Sequence, residues 1–489
     1  MVLLQLLLLL GLTTPIALAE DPPAVSLEEA SYPLGALLAP VLKDPILKGT
    51  TYGVQVVNIR TGEEVFARNG DVAMLPASVN KVLTAAVALR VLGPGHKFNT
   101  LITTDAKITA GGTLQGDLYV RGFGDPTLVY EKLHRLVADL PLMGIDKIQG
   151  DVVFDDTYFD QDWLIPGWRK GTDLRQGPAY FAPITALGVN FSSICIVVAP
   201  ALTVGGTARV EFESPIPMLS LESSVVTGAL RSGTKVQILR KVTGDKVHFK
   251  LSGAIAQGVA PSKYYRAIAE PRPFFRQMFQ LAMKERGVTV TGKYRHGRAP
   301  KSARLVTKME SLSLGVIVGR MNKHSSNYMA ETLLKAVGAE SAGRPGTSAK
   351  GLIALGKMLQ TMGNEAGSYK LVNGSGLSRE IMLSPSLING LMVQMYHDRR
   401  VGPEFISSMS IGGEDGTLWP RFRQVDRRGR LRGKTGSLSG VYSLTAYVDG
   451  GDGEVYVMTF MTNGIKGSSR KVRNLQDRFA GKLLDLEAP

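Results

Sequence analysis

Hydrophobic positions divide this chain into three textures. The first is an apolar stretch at the start: Leu6 to Leu10 run together, and Thr13, Thr14 and Pro15 lead to Ala17-Leu18-Ala19 before Glu20. A short apolar run closed by Ala-x-Ala is the layout of a cleavable export signal, with cleavage expected after Ala19 and the mature protein in the periplasm. No Lys or Arg precedes the run, an element such signals ordinarily carry. The stretch falls short of the ~20 apolar residues that span a bilayer. No later segment qualifies, so a soluble or peripherally associated mature protein is expected.

The second texture mixes helical and strand periods. Leu34 to Leu47 predicts a helix interrupted at Pro40. Tyr52–Ile59 alternates as a strand, turns at Thr61-Gly62 and returns through Glu64–Arg68. Val79–Leu92 is rich in Ala, Val and Leu with almost no polar face, which predicts a helix buried on most sides. Helical periods resume from Leu312. The chain ends on strand Val441–Val448, a Gly/Asp turn, strand Val455–Thr462 and a helix over Val472–Leu484. Strands at both ends predict one α/β (α+β) unit whose sheet is closed by the two chain ends.

Between Leu101 and Leu305 lies the third texture, short β-like runs separated by Gly-rich turns, with one helical stretch at Pro273–Gly287. It reads as an excursion from the first unit. The expected division is 20–98 with 310–489 as the main domain, 99–125 with 200–309 as an inserted β-rich domain, and 126–199 as a module nested within it.

Composition narrows the class. With 44% hydrophobic and 20% charged residues the chain is globular, and 489 residues imply more than one core. The formal charge of +15 attracts anionic polymers, but no block of five Lys/Arg occurs, which argues against a nucleic-acid stripe. The single Cys195 permits no internal disulfide and sits in the apolar run Ile194–Val198, as a buried thiol would. The six histidines are scattered without His-Glu-x-x-His, and nothing calls for a metal or other cofactor.

Three short motifs could carry chemistry. Ser78-Val79-Asn80-Lys81 puts a hydroxyl and an amine three residues apart on one helical face, at a helix start whose free N–H groups favour developing negative charge. The same spacing recurs at Ser232/Lys235 and Ser468/Lys471. Only the first copy opens an apolar helix, where an unpaired Lys81 would be costly to bury. Ser325-Ser326-Asn327 precedes a helix and offers a hydroxyl and an amide to one cleft, or simply a helix cap. Gly433-Lys434-Thr435-Gly436-Ser437 leads into a strand and offers a cation, a hydroxyl and unobstructed backbone to a ligand lying alongside, or is an ordinary turn.

The order Ser-x-x-Lys, Ser-x-Asn, Lys-Thr-Gly resembles the signature set of penicillin-binding proteins and serine β-lactamases. Ser325 follows Ser78 by 247 positions, and that long separation resembles the D-alanyl-D-alanine carboxypeptidase/endopeptidase family of low-molecular-mass penicillin-binding proteins (class C). Gly122–Leu128, Pro166-Gly167-Trp168, Asn373–Arg379 and Asp415-Gly416-Thr417-Leu418 also look like that family.

The resemblance implies a penicillin-binding, transpeptidase-like fold and a penicillin-sensitive carboxypeptidase/endopeptidase. Its partners would be peptidoglycan stem peptides and β-lactams. On these residues it implies Ser78 as nucleophile, Lys81 as base, Ser325 as proton relay, Asn327 and Lys434 as catalytic partners, and Thr435, Gly436 and Ser437 along the substrate. Asp173, Tyr180 and Arg379 would hold the diamino-acid side chain. Two departures are Ser326 in place of the commoner Asp, and Glu380-Ile381-Met382 in place of a polar residue after Arg379. A serine β-lactamase and a catalytically silent wall-binding protein of the same fold are the alternatives.

Overall fold

The computed structural model describes residues 34–168 and 177–487. Met1–Ala19, with the expected export signal, and Asp173 lie outside the described residues. Among those residues no helix is long and apolar enough to cross a membrane.

The two ends of the chain meet in one antiparallel six-stranded sheet. Its order is Ser410–Ile411, Leu431–Leu438, Val441–Asp449, Val455–Asn463, Thr51–Asn58, Glu64–Arg68. Thr51 pairs with Asn463 and Asn58 with Tyr456, so the first strand is zipped along its length to the last. Alternation then sorts the side chains. Leu444, Ala446, Met458 and Phe460 meet Leu475, Phe479 and Leu483 of the C-terminal helix Ser469–Leu484. Tyr447, Val457 and Met461 join the core of the helical layer on the other face.

That layer centres on the helix Lys81–Leu92, whose residues 81–89 are all buried. Asn327–Ala342 packs beside it, buried from Tyr328 to Ala339. The first helical segment is broken as its sequence implies. An α-turn Leu34–Leu38 gives way to tighter turns at Ala39–Lys43 and Pro45–Leu47, because Pro40 has no N–H to continue the ladder.

The excursion builds its own core. A five-stranded sheet runs Tyr294–His296, Val152–Asp155, Leu118–Gly122, Asn99–Thr104, Arg304–Glu310. Helices Tyr130–Leu142 and Pro271–Glu285 contribute Leu133, Leu136, Phe275 and Phe279 to the core beneath it. Further out, Ser193–Ala199 pairs with Arg209–Phe212 and Ser262–Ala267. A separate sheet joins Leu219–Gly228, Lys246–Ala256 and Lys235–Thr243.

The expected split of the insertion at 126 and 199 cuts across these pairings, since Val152–Asp155 bonds to Leu118–Gly122 on one side and Tyr294–His296 on the other. The helix Tyr130–Leu142 was also not anticipated, although Leu133, Leu136, Val137 and Leu140 carry its period. The insertion is pinned to the helical layer by Lys335, fully buried, whose amine donates to Asp160 Oδ1 (2.5 Å) and to the Asp162 carbonyl (2.7 Å).

Candidate active site

Ser78 stands in the tight turn Ala77–Asn80, immediately ahead of the helix Lys81–Leu92. Ala77, just before it, is held at φ 50°, and Ser325 across the cleft at φ 55°. Left-handed backbone at two non-glycine residues costs on the order of 1–3 kcal/mol each and persists only where the surroundings enforce it. Here it is enforced on both sides of one cleft.

The fully buried Lys81 amine has three partners. Ser78 Oγ lies at 2.9 Å, Asn327 Oδ1 at 2.7 Å and the Ser375 carbonyl at 2.6 Å. Two of the three accept only. A neutral amine has two N–H groups and one lone pair, so it satisfies the set completely by donating to the carbonyls and accepting the Ser78 hydroxyl proton. Burial holds the Lys81 amine well below the usual lysine range, and the cation of Lys434 lowers it further, while Glu331 opposes both.

Lys434 is likewise fully buried, and burial pushes it down to about 7. Its amine donates to Ser325 Oγ (3.0 Å) and to the Thr435 carbonyl (2.7 Å). Ser326 Oγ accepts from Met329 N and caps the following helix, so the capping role falls on the middle serine. Ser325 and Asn327 are thereby left toward the cleft, and Asn327 Nδ2 donates to the Tyr180 carbonyl at 3.2 Å. On the Lys-Thr-Gly strand, Thr435 Oγ1 donates to Thr417 Oγ1 at 2.8 Å. Asp415 holds that neighbouring loop by accepting from Ile411 N and pairing with Lys323. Ser78, Ser325, Thr417, Thr435, Gly436 and Ser437 line one cavity of about 410 Å³.

The Asn373–Gly376 segment forms the back wall. Its three successive carbonyls each receive one donor from the Ser78 turn or the helix that follows it: Asn80 Nδ2 on Asn373, Thr84 Oγ1 on Gly374, Lys81 Nζ on Ser375. From the other side the buried Glu331 carboxylate accepts the N–H groups of Gly374 (3.0 Å) and Ser375 (2.7 Å). Burial pushes the Glu331 carboxyl up, against the donors that hold it down. Glu331 is a positioning residue that sequence reasoning missed. Its only signal was a lone charge inside the otherwise apolar run Tyr328–Leu334.

Glycine is required where this wall meets the turn. At Gly376, φ is 80° and a β-carbon would stand 1.9 Å from the Ala77 carbonyl oxygen. At Gly436 a β-carbon would stand 2.5 Å from the Pro76 carbonyl oxygen. Gly376→Ala is therefore expected to lower stability by about 2–3 kcal/mol through strain and displacement of the Ala77-Ser78 turn, read as a fall in Tm.

Of the remaining sequence candidates, Tyr180 is more than half exposed and packs its ring against Phe181. Arg379 is exposed and donates to the Ser439 carbonyl at 2.8 Å. Ile381, in the departing segment after it, is fully buried in the core. Cys195 is buried, and burial raises its thiol further from reactivity.

A model of the D-Ala-D-Ala carboxypeptidase 3 (S13) family matches residues 34–483. A D-alanyl-D-alanine carboxypeptidase of Actinomadura sp. (strain R39) is 33% identical over 459 residues, covering 91% of this chain and 83% of the relative. The D-alanyl-D-alanine carboxypeptidase DacB of Haemophilus influenzae is 27% identical over 86% of this chain and 87% of its own. The crystal structure of penicillin binding protein 4 from Haemophilus influenzae superimposes with a TM-score of 0.77 at 25% identity, covering 90% of this chain and 97% of that one.

Proposed function

Because the chain belongs to the D-Ala-D-Ala carboxypeptidase 3 (S13) family, we infer that it is a penicillin-sensitive serine carboxypeptidase and endopeptidase. It acts on peptidoglycan stem peptides through an acyl-enzyme on Ser78. The observation that carries this reading is the buried Lys81 amine, held low and bonded at 2.9 Å to the Ser78 hydroxyl.

Ser78 Oγ attacks the carbonyl between the two D-alanines as Lys81 Nζ takes its proton. The backbone N–H groups of Ser78 and Ser437 hold the oxyanion, an arrangement typically worth a few kcal/mol. The C–N bond then breaks as the proton held by Lys81 is relayed through Ser325, bonded from Lys434, to the leaving amine, which returns Lys81 to its neutral form. Asn327 holds the substrate amide, while Thr435 and Ser437, with Gly436 leaving room for the backbone, orient the terminal carboxylate. Water resolves the ester. A β-lactam follows the same first step, but its leaving amine stays tethered in the cleft, which keeps water from the ester.

Asp173, Tyr180 and Arg379 complete the reading as the grip on the diamino-acid side chain. Residues 20–98 and 310–489 form the catalytic domain and 99–309 its insertion, and the protein works in the periplasm after export.

The test is digestion of purified muropeptides. Uncross-linked pentapeptides are expected to release D-alanine and cross-linked dimers to yield monomers, with penicillin leaving a stable mass adduct on the protein. Rapid turnover of a chromogenic cephalosporin without such an adduct would favour a β-lactamase. Neither cutting nor adduct would leave a wall-binding protein.

The two lysines set the pH dependence. Turnover needs Lys81 without its proton and Lys434 with it. Below the Lys81 titration the base is occupied, and above about 7 Lys434 loses its charge. The kcat/KM profile is expected to be bell-shaped with its alkaline limb centred about 7, both limbs belonging to the coupled pair. A profile still rising above pH 9 would refute this assignment.

A further inference from the structure

The Lys-Thr-Gly strand Leu431–Leu438 is covered along only part of its outer edge. Ser410 and Ile411 pair with Gly433 and Arg432, and the chain then leaves the sheet through residues 412–418. Past that pairing Thr435 meets a side chain instead, and its Oγ1 donates to Thr417 Oγ1 at 2.8 Å. Both threonines are partly exposed and line the cavity that holds Ser78, Ser325 and Ser437. The pair is therefore open to whatever binds there.

The Thr417 backbone is held without help from a ligand. Its N–H donates to Ser410 Oγ at 3.2 Å, and Ser410 is fully buried. Asp415, two residues earlier, accepts from Ile411 N at 2.7 Å and pairs with Lys323, two residues ahead of Ser325. The hydroxyl proton has more freedom. A threonine hydroxyl carries one proton and two lone pairs, and the proton rotates to suit its partners. With its proton given to Thr417, Thr435 has only lone pairs to offer, and a carboxylate, which only accepts, has no use for them. Thr417 has a proton of its own, and its other hydroxyl contact is Ser410 Oγ at 3.4 Å, a long bond. That proton can turn to Thr435 Oγ1 across the same 2.8 Å, which releases the Thr435 proton with no heavy atom moved.

We propose that Thr417 is a positioning residue for the substrate's terminal carboxylate, one that sets the direction of the Thr435 hydroxyl. It accepts from Thr435 in the empty cavity and donates to it once the carboxylate is bound. The inference rests on the function given above, where Thr435 and Ser437 orient that carboxylate. Water can serve Thr435 while the cavity is open. A bound substrate excludes that water, and Thr417 is then the donor that keeps Thr435 Oγ1 paired and strengthens its bond to the carboxylate. The advantage exists only for a leaving group that reaches Thr435.

The test compares two substrates of the purified protein. One is a stem peptide ending in D-Ala-D-Ala, the other the same peptide with methanol, as an ester, in place of the departing D-alanine. The ester is cut at the same carbonyl but places nothing against Thr435. In Thr417→Val the ratio of peptide to ester kcat/KM is expected to fall about fivefold, chiefly through KM for the peptide, as loss of one neutral hydrogen bond implies. Thr417→Ser keeps the hydroxyl and should hold the ratio within about twofold of wild type. A Thr417→Val ratio within about twofold of wild type, whether both rates hold or both fall together, overturns the positioning role. So does a Thr417→Ser ratio as low as that of Thr417→Val. Wild-type protein that cuts neither substrate overturns the functional reading, and the positioning role with it.

Discussion

Ser78→Ala is expected to remove turnover on both muropeptide classes by at least ~10⁴-fold and to abolish the penicillin adduct. The reason is chemical rather than structural. Ser78 is half-buried at the cleft, and its hydroxyl bonds to the Lys81 amine at 2.9 Å. Losing that contact leaves Lys81 donating to Asn327 Oδ1 and the Ser375 carbonyl. The change in stability should stay near 1 kcal/mol, so inactivity could not be blamed on unfolding. Mass spectrometry after penicillin treatment and chromatography of digested muropeptides read the result. Digestion at the wild-type rate would remove Ser78 from its role.

Lys81→Met is the second large effect. The substitution keeps the apolar stem of the side chain and deletes the amine, leaving the Ser78 hydroxyl in place but without a base. General-base removal costs typically 10²–10⁴-fold, and a fully buried amine bonded directly to the hydroxyl belongs near the upper end, about 10³–10⁴-fold in the rate of penicillin acylation. Asn327 Oδ1 and the Ser375 carbonyl also lose a donor, which works against stability. Removing a desolvated amine works for it, so only a modest net change in Tm is expected. Stopped-flow acylation decides the matter. A rate within tenfold of wild type would mean that another group activates Ser78.

The sheet was legible because alternation and chain position agree. Tyr52–Ile59 and Val455–Thr462 both read as strands, and they pair with each other. The Ser-x-x-Lys spacing was not informative by itself. Lys471 is exposed on the C-terminal helix and Lys235 on an outer strand, whereas Lys81 is fully buried. What separated the copies was the apolar helix behind Ser78, a property of sequence that foretells burial.

Groups whose roles depend on contacts distant in sequence were illegible. Glu331 matters because it clamps the amides of Gly374 and Ser375, and Thr417 because its hydroxyl meets that of Thr435. No local pattern announces either. The helix Tyr130–Leu142 was readable in period but lay among Gly-rich turns that suggested strands. Where Val152–Asp155 pairs was not legible either, since a short apolar strand does not name its neighbours.

The zip between Thr51–Asn58 and Val455–Asn463 has a consequence for biosynthesis. The first strand of the sheet finds this partner only when nearly the whole chain has emerged, and the Lys-Thr-Gly strand is likewise made late. The insertion draws its sheet from 99–310 and so has its strands in hand earlier. Contacts between distant segments carry the larger loop-closure cost and form slowly. Chains released before Val455 lack the strand that joins the two ends, so a truncated product carries the Ser78 half and the Lys-Thr-Gly half of the sheet with nothing to link them.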